Sequence, residues 1–149
     1  MMKVKIKCIS KHGVPEYITE HAAGMDLMAS LEKPVKLGPM ERAMIGTGIF
    51  IELPVGYEAQ IRPRSGLAIK KGLTILNAPG TIDADYRGEI MVILANLSEN
   101  ECIIHDGDRI CQMVVAKHET IQWEITEELN ETERGHGGFG HTGISDKSY

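Results

Sequence analysis

Two carboxylates, Asp83 and Asp85, stand two positions apart in the run Gly80–Glu89. On an extended strand such a pair points to one side, so the strand would hold a carboxylate rigidly over a pocket. Asn77 adds an amide that both donates and accepts hydrogen bonds, and Tyr86 adds a ring. Together these groups favour a small, flat ligand. The alternative is an ordinary turn, because Asp and Gly are common turn residues.

A basic group before a short predicted helix is the second candidate site. The run Ser65–Gly72 has a serine in the N-cap position, lysines in the last turn and a glycine just past the end. Unpaired amides at a helix N-terminus attract anions, and Arg64 stands immediately before them. Arg64, Ser65 and Gly66 therefore form a candidate phosphate clamp. The alternative is a plain surface helix with an ordinary cap.

The glycine-rich tail from residue 134 onwards is the third candidate. Gly135, Gly137 and Gly140 fit the G-x-G-x-x-G template of dinucleotide sites. That template must follow a strand and open a helix within a crossover unit, and only nine residues of the sequence stand after Gly140. Glycines at this density are typical of flexible segments. Phe139 and Arg134 then suggest a flap, with a ring to cover a base and a cation to meet a phosphate.

Composition excludes several classes of function. The 149 residues carry a formal net charge of −5, whereas binding a nucleic-acid polymer needs a broad basic face. Cys8, Cys102 and Cys111 have no close spacing, which argues against a disulfide framework and against a zinc site. No apolar run is long enough to cross a bilayer, and the N-terminus lacks the apolar centre of a signal peptide. We therefore expect no membrane association and a cytoplasmic location.

Short strands separated by Gly, Pro and Asp turns indicate an all-β, jelly-roll-like barrel or sandwich with one short helix and a flexible C-terminal arm. Residues 1–149 are expected to form one domain, with a core at 1–125, a connector at 126–133 and the arm at 134–149. Leu73–Leu76 and Ile90–Ala95 should fold back on each other and support Gly80–Glu89 as a hairpin rim. The strands are predicted at Lys3–Ile9, Ala23–Ala29, Pro34–Leu37, Met40–Leu53, Tyr57–Arg62, Leu73–Leu76, Glu89–Asn96, Cys102–Ile104, Arg109–Lys117 and Thr120–Ile125.

Five motifs now stand in a fixed order: Ala23–Ala29, Pro63–Ala68, Gly80–Glu89, Gly107–Gln112 and Arg134–Gly143. In this order and spacing they resemble the trimeric deoxyuridine triphosphatases (dUTPases) over nearly the whole chain. The resemblance implies a homotrimer of jelly-roll subunits with active sites shared between subunits. It also implies Mg²⁺-assisted hydrolysis of dUTP to dUMP and pyrophosphate, which supplies dUMP for thymidylate synthesis and keeps uracil out of DNA.

The resemblance also implies roles for residues around the first candidate site. Asp83 would orient and activate the attacking water, as a general base does. Tyr86 would pack beneath the deoxyribose and leave no room for a 2′-hydroxyl. Uracil would be read by Asn77, by the backbone of Gly80, Thr81, Ile82 and Asp83, and by the backbone near Met91.

The remaining motifs are expected to hold the triphosphate and to close the site. Asp26 would accept a hydrogen bond from a magnesium-bound water. The phosphate and leaving-group contacts resemble Arg64, Ser65, Gly66 and Gln112, and of these Ser65 and Gln112 are predicted to be catalytic together with Asp83. The closing arm would be formed by Arg134, Phe139, Gly140 and Thr142, with Phe139 over the base.

Three positions depart from the pattern of the family. His141 replaces the usual serine, Met25 a common aromatic residue and Cys111 a common alanine. Only the first affects a phosphate contact, where an imidazole would add pH dependence. Two alternatives stay open at this point: a dCTP deaminase with the same fold, and a nucleotide-sensing or partner-binding module without turnover.

Overall fold

A computed structural model of the chain describes residues 2–138. Strands dominate it, and α1, the one helix among these residues, is short, so the predicted all-β class is confirmed. No helix among the described residues has the length and apolar character needed to span a membrane. The elements are β1 (Lys5–Cys8), β2 (Met25–Met28), β3 (Val35–Leu37), β4 (Arg42–Gly46), β5 (Ile49–Glu52), β6 (Tyr57–Arg62), α1 (Ser65–Lys71), β7 (Leu73–Ile75), β8 (Gly80–Ile82), β9 (Met91–Asn96), β10 (Cys102–Ile104) and β11 (Arg109–Lys117).

Antiparallel pairing joins these strands into two main sheets and two strand pairs. The four-stranded sheet has the order β2-β11-β6-β8, and the three-stranded sheet has the order β4-β9-β7. The pairs are β1 with β5 and β10 with β3. Inward-facing side chains of both main sheets join one apolar core, for example Leu27 and Ile61 from the first sheet and Ile45 and Leu94 from the second. Apolar burial of this kind is the main force that holds the sheets together.

The predicted support for Gly80–Glu89 is confirmed, but its conformation differs from the prediction. β7 pairs with β9 in the register Leu73↔Asn96, so the intervening residues lie at one end of this pair. β8 ends at Ile82, and residues 83–86 form a turn in which the Tyr86 amide donates to the Asp83 carbonyl at 3.2 Å. The expectation that Asp83 and Asp85 lie on an extended strand is therefore wrong.

Two other strand predictions are wrong. Met40–Leu53 is two strands, β4 and β5, because Gly48 takes a left-handed backbone with φ of 68° between them. The buried Thr47 hydroxyl beside it donates to the Ile90 carbonyl at 2.7 Å, which fixes the turn to the start of β9. Thr120–Ile125 forms no strand and is exposed, since it meets no partner strand among residues 2–138.

The short helix lies where the sequence predicts it, with a different cap. Arg64 occupies the N-cap position with extended backbone and makes no side-chain cap bond, whereas Ser65 is the first helical residue. The predicted serine cap is therefore wrong. At the other end Gly72 adopts φ of 64° and its amide donates to the Ala68 carbonyl at 3.1 Å. This left-handed glycine ends the helix and directs the chain into β7.

Candidate active site

A cavity of about 230 Å³ opens where β8 of one sheet faces β7 and β9 of the other. Its floor is apolar and belongs to the core, since Ile61 and Ile75 are each 3% exposed and Val92 is 1% exposed. Glu89 and Ile93 complete the lining. The walls and mouth contain the residues predicted for the base, the sugar and the water: Asn77, Gly80, Thr81, Ile82, Asp83, Tyr86 and Met91.

The turn that follows β8 holds Asp83 at the mouth of this cavity. Asp83 is exposed, while Ala84 packs partly buried against the core and anchors the turn. The Arg87 guanidinium donates to the Ala84 carbonyl at 2.7 Å and to the Tyr86 carbonyl at 2.9 Å. The Tyr86 hydroxyl donates to the Glu89 carbonyl at 2.9 Å. A solvent-facing loop is thus tied at several points, which keeps the carboxylate in place.

The segment that connects β7 to β8 runs close to the cavity. The chain passes from Asn77 through a cis Ala78–Pro79 peptide to Gly80, which is buried. A Cβ at Gly80 would lie 3.3 Å from Cβ of Ile61 and 3.4 Å from the Asn77 amide nitrogen. Glycine therefore lets the strand sit against the cavity floor with the amide of Asn77 beside it.

A second cluster contains the residues predicted for phosphates and for magnesium. Asp26 has a side chain only 11% exposed, and Oδ1 lies 3.0 Å from Nε of Arg64. Oδ2 lies 3.5 Å from Nη1 of Arg109. Nη1 of Arg64 also donates to the Arg109 carbonyl at 3.1 Å. The carboxylate therefore faces two guanidinium groups, which concentrates positive charge around one acidic residue.

Three further predicted residues lie along this cluster. Gln112 is exposed on β11, directly opposite Asp26 of β2 in the sheet register. Ser65 and Gly66 are exposed on the first turn of α1, immediately after Arg64. The phosphate-binding prediction thus falls on one continuous surface at the β2 edge and the start of the helix.

Within one chain this cluster and the cavity remain separate. β2 and β8 are the opposite outer strands of the four-stranded sheet, so about 14 Å of sheet separates them at the usual strand spacing. None of the described residues predicted to bind phosphate lines the cavity. The residues predicted for the base and sugar lie together and so do those predicted for the phosphates, but the two groups do not meet within one chain.

Sequence reasoning missed Arg109 and Glu89. Within the motif Gly107–Gln112 only Gln112 was predicted to contact the ligand, but Arg109 reaches Asp26 on β2. Its sequence neighbour Asp108 instead accepts from the His105 amide at 2.8 Å. Glu89 was the last residue of the Gly80–Glu89 run and received no role, although it lines the cavity. The signal that could have identified it is its place in the same motif as Asp83 and Tyr86.

The thiol beneath the second cluster is chemically quiet. Burial, together with the negative charge of nearby Asp26, raises the pKa of Cys111 to about 12. A thiol in this state stays protonated at neutral pH and does not act as a nucleophile. The cysteine that replaces the common alanine is thus a small core side chain.

The closing arm is described only at its beginning. Arg134 is exposed, and its Nε donates to the Gly137 carbonyl at 2.9 Å. Gly137 in turn donates its amide to the Arg134 carbonyl at 3.0 Å, so residues 134–137 form a compact turn. The predicted residues Phe139, Gly140 and Thr142, and the departure His141, lie outside the described residues.

Metal-binding side chains are sparse in the described part of the chain. Residues 2–138 contain no group of three or more His, Cys, Asp or Glu side chains that could hold a metal ion. A hard cation at this site would therefore take most of its oxygen ligands from water or from a bound anion, as Mg²⁺ commonly does.

Comparison with known proteins gives one consistent family. The dUTPase family model matches residues 11–143. A Rickettsia felis protein named deoxyuridine 5′-triphosphate nucleotidohydrolase is 56% identical over 144 residues, which cover 95% of this chain and 97% of the relative. A mutant dUTPase of Staphylococcus bacteriophage 80alpha, solved with dUpNHpp, has a TM-score of 0.87 and 27% identity and covers 97% of this chain and 100% of its own.

A second solved structure extends the comparison. A mutant dUTPase of the S. aureus phage phi11, described for the coordination of a structural Mg(II) ion, has a TM-score of 0.78 and 24% identity. It covers 87% of this chain and 100% of its own. The two solved structures confirm the predicted jelly-roll class.

Proposed function

Because the chain belongs to the dUTPase family, it is a dUTP diphosphatase, and we propose that Asp83 directs the water that attacks the substrate. The products are dUMP and pyrophosphate. The observation that carries the proposal is the cavity that combines an apolar floor, the amide of Asn77 and an exposed carboxylate fixed at its mouth. Such a carboxylate can take a proton from water as the phosphorus–oxygen bond forms.

Uracil fits the cavity by shape and by hydrogen-bond pattern. The apolar floor of Ile61 and Val92 suits the face of a pyrimidine. β8 is an outer strand of its sheet, so backbone groups of residues 80–82 lack a strand partner on that side within residues 2–138 and are free to bind the base edge. A cytosine amino group would face a donor there, and an unpaired buried polar group discriminates strongly.

The sugar is recognised by the ring of Tyr86 at the cavity mouth. The ring packs against the deoxyribose and occupies the space that a 2′-hydroxyl would need. Its hydroxyl is bound to the Glu89 carbonyl, so the ring has little freedom to move aside. Ribonucleotides are therefore poor substrates.

The triphosphate binds the second cluster. Arg64, Ser65, Gly66 and Gln112 supply the cation, the hydroxyl, the backbone amide and the side-chain amide that phosphate and pyrophosphate oxygens require. Ser65 and Gln112 stabilise the leaving pyrophosphate. Positioning and neutralisation of charge of this kind account for most of phosphoryl-transfer catalysis.

Magnesium fits this donor set as an ion carried mainly by the substrate. Both oxygens of Asp26 face arginines, so its carboxylate would reach the ion through a bound water rather than directly. Mg²⁺ keeps several waters and prefers phosphate oxygens, which suits a site with a single nearby carboxylate. When bound, the ion neutralises charge on the triphosphate.

We further propose that the active chain is a homotrimer whose subunits share their sites. The cavity and the phosphate cluster do not meet in one chain, and each would find its complement on a neighbour. Exposed apolar side chains alternate at Ile121, Trp123 and Ile125, with exposed fractions of 64%, 82% and 98%. This alternation suits a strand that pairs with another subunit. An apolar groove of about 230 Å³, lined by residues including Val4, Tyr17 and Met113, offers a surface of the matching character.

The C-terminal arm completes the neighbour's site. Arg134 meets the triphosphate, Phe139 covers the base, and Gly140 and Thr142 close the arm over the phosphates. An arm that orders over the ligand would fix the in-line geometry and exclude bulk water.

Assembly is tested by light scattering and by mixing. Light scattering should give three times the mass of one chain, and the fluorescence of Trp123, the one tryptophan of the sequence, should shift to the blue as subunits associate. Subunits with Asp83→Asn, mixed with subunits truncated before Arg134, should regain activity through mixed trimers. No recovery despite proven mixing would mean that the arm does not serve a neighbour.

The proposed role of Asp83 is tested by release of pyrophosphate from dUTP. Asp83→Asn should lower kcat by about 10²–10⁴-fold, which is the usual contribution of a general base. Asp85→Asn is the matched control, because it removes an exposed carboxylate from the same turn and should leave kcat nearly unchanged. Equal rates for Asp83→Asn and the wild type would remove Asp83 from its role, and turnover of dCTP in place of dUTP would contradict the assignment of substrate.

A further inference from the structure

Glu89, which lines the cavity just before β9, is hydrogen-bonded to the turn that follows the neighbouring strand β4. One carboxylate oxygen, Oε1, accepts a hydrogen bond from the Gly48 amide at 2.7 Å, in the turn between β4 and β5. A Cβ at Gly46 would lie 2.8 Å from the same oxygen, so glycine leaves room for the carboxylate in its present position. This contact spans residues far apart in sequence and lies beneath the site.

The backbone around Glu89 is fixed by the same turn. The Thr47 hydroxyl donates to the Ile90 carbonyl at 2.7 Å, and the Ile90 amide donates to the Ile49 carbonyl at 2.8 Å. Thr47 is 1% exposed, so its bond is sheltered from water. With the carboxylate contact, three hydrogen bonds hold residues 89 and 90 to the β4–β5 turn.

Tyr86 depends on this anchor for the position of its ring. Tyr86 is 42% exposed, so packing alone does not hold its ring, and its hydroxyl donates to the Glu89 carbonyl at 2.9 Å. A Cβ at Gly88 would overlap the Tyr86 hydroxyl, which shows that the side chain lies directly across Gly88. Movement of Glu89 would therefore move the acceptor to which the ring is tied.

We propose that Glu89 is a positioning residue that sets the preference for deoxyribonucleotides over ribonucleotides by holding Tyr86 from the β4–β5 turn. The inference rests on the proposed role of Tyr86 against the sugar. Without the carboxylate, residues 89 and 90 keep only two of their three hydrogen bonds to the β4–β5 turn. The Tyr86 ring can then move aside and admit a 2′-hydroxyl. The chemistry at the phosphorus does not involve this movement.

The test compares kcat/KM for dUTP and UTP in Glu89→Ala. The ratio should fall about tenfold, the size of effect expected when a steric boundary loosens, and mainly through a gain with UTP. For dUTP, kcat should stay within about twofold of the wild type, since no group that acts only in the transition state is lost. Glu89→Gln should keep the ratio, because the amide oxygen still accepts from Gly48.

Glu41→Ala is the matched control. Glu41 precedes β4 and accepts from the Gly38 amide at 2.7 Å, so it makes the same kind of bond at the other end of the strand. Its removal should not change the ratio. A folded Glu89→Ala with an unchanged ratio, an equal fall in Glu41→Ala, or an equal fall in Glu89→Gln would overturn the proposal.

If Glu89→Ala does not fold, Tyr86→Phe is tested in its place. This variant removes the hydrogen bond from the Tyr86 hydroxyl to the Glu89 carbonyl and keeps the aromatic ring. A lowered ratio then supports the proposal, and an unchanged ratio overturns it. A wild type that fails to prefer dUTP over UTP would instead refute the proposed role of Tyr86. That outcome differs from a discriminating wild type that is insensitive to position 89.

Discussion

Asp26→Asn is the substitution that tests the phosphate-binding cluster most directly. The change keeps the size of the side chain and one carbonyl oxygen but removes the negative charge between Arg64 and Arg109. Both guanidinium groups then lose the charge of their common partner, and the charge-assisted bond that helps to orient Arg64 becomes at best a weaker bond to a neutral amide oxygen. We expect a loss of stability together with weaker binding of dUTP.

The size of the effect follows from the geometry. A charge-assisted hydrogen bond contributes about 1.5–3 kcal/mol, and the contact between Nε of Arg64 and Asp26 at 3.0 Å is of this type. The second contact, at 3.5 Å, is at the limit of a hydrogen bond and adds little. The arginine side chains are 30% and 47% exposed, so solvent weakens both interactions. We therefore expect a loss of about 1–2 kcal/mol in the free energy of unfolding.

Urea unfolding followed by far-UV circular dichroism measures this loss. With a slope of about 2 kcal/mol per molar urea, the midpoint should fall by about 0.5–1 M. All variants must be compared at one protein concentration, because assembly makes the midpoint depend on concentration. In the activity assay KM for dUTP should rise roughly tenfold. A less well oriented Arg64 should weaken the binding free energy of dUTP by about 1.4 kcal/mol, which corresponds to one decade in affinity.

Glu52→Gln serves as the control for this experiment. The ion pair of Lys5 and Glu52 has a similar distance, 2.9 Å, but its side chains are 81% and 42% exposed. Solvent screening should leave its removal without measurable effect. An Asp26→Asn chain that unfolds at the wild-type midpoint, or a Glu52→Gln chain that shifts as far, would refute this reasoning.

Two further predictions concern titratable groups elsewhere. The Leu31 amide, which donates to Asp106, and the nearby Lys11 ammonium hold the pKa of Asp106 well below its ordinary value of 3.8. Because the pKa is lower in the folded chain, Asp106 stabilises the fold above about pH 4 and less as the pH falls below it, so Tm of the wild type should fall more steeply than Tm of Asp106→Asn between about pH 4 and pH 2. Cys111, with its pKa raised to about 12 by burial, should resist iodoacetamide at pH 8 in a mass-spectrometric assay, whereas the half-buried Cys102 should react.

Local sequence was sufficient for those parts of the structure that local chemistry determines. β6, β10 and β11 have the predicted bounds, because each is an apolar or alternating run that begins just after turn residues. The residues predicted to read the base lie around one cavity because they belong to a single run of the chain. Because these residues are close in sequence, their proximity in space could be predicted without any long-range contact.

Contacts between distant residues explain the failures. The β-branched run through Thr47 predicts one strand, but Gly48 adopts a left-handed backbone there and the long-range bond from Thr47 to Ile90 holds the turn. Arg109 stands beside an aspartate in the sequence, yet its partner is Asp26 on another strand. The alternation from Ile121 is typical of a strand, but a strand requires a partner that residues 2–138 do not supply.

A pocket whose floor is also the interior of the fold links substrate range to stability. Widening it for a purine would require smaller residues at Ile61 or Val92, and such truncations cost about 2–5 kcal/mol for an isoleucine cut back to alanine. Since a domain is stable by only about 5–15 kcal/mol, few such changes are tolerated. Evolution and protein engineering would therefore have to alter nucleobase preference from the solvent-facing rim.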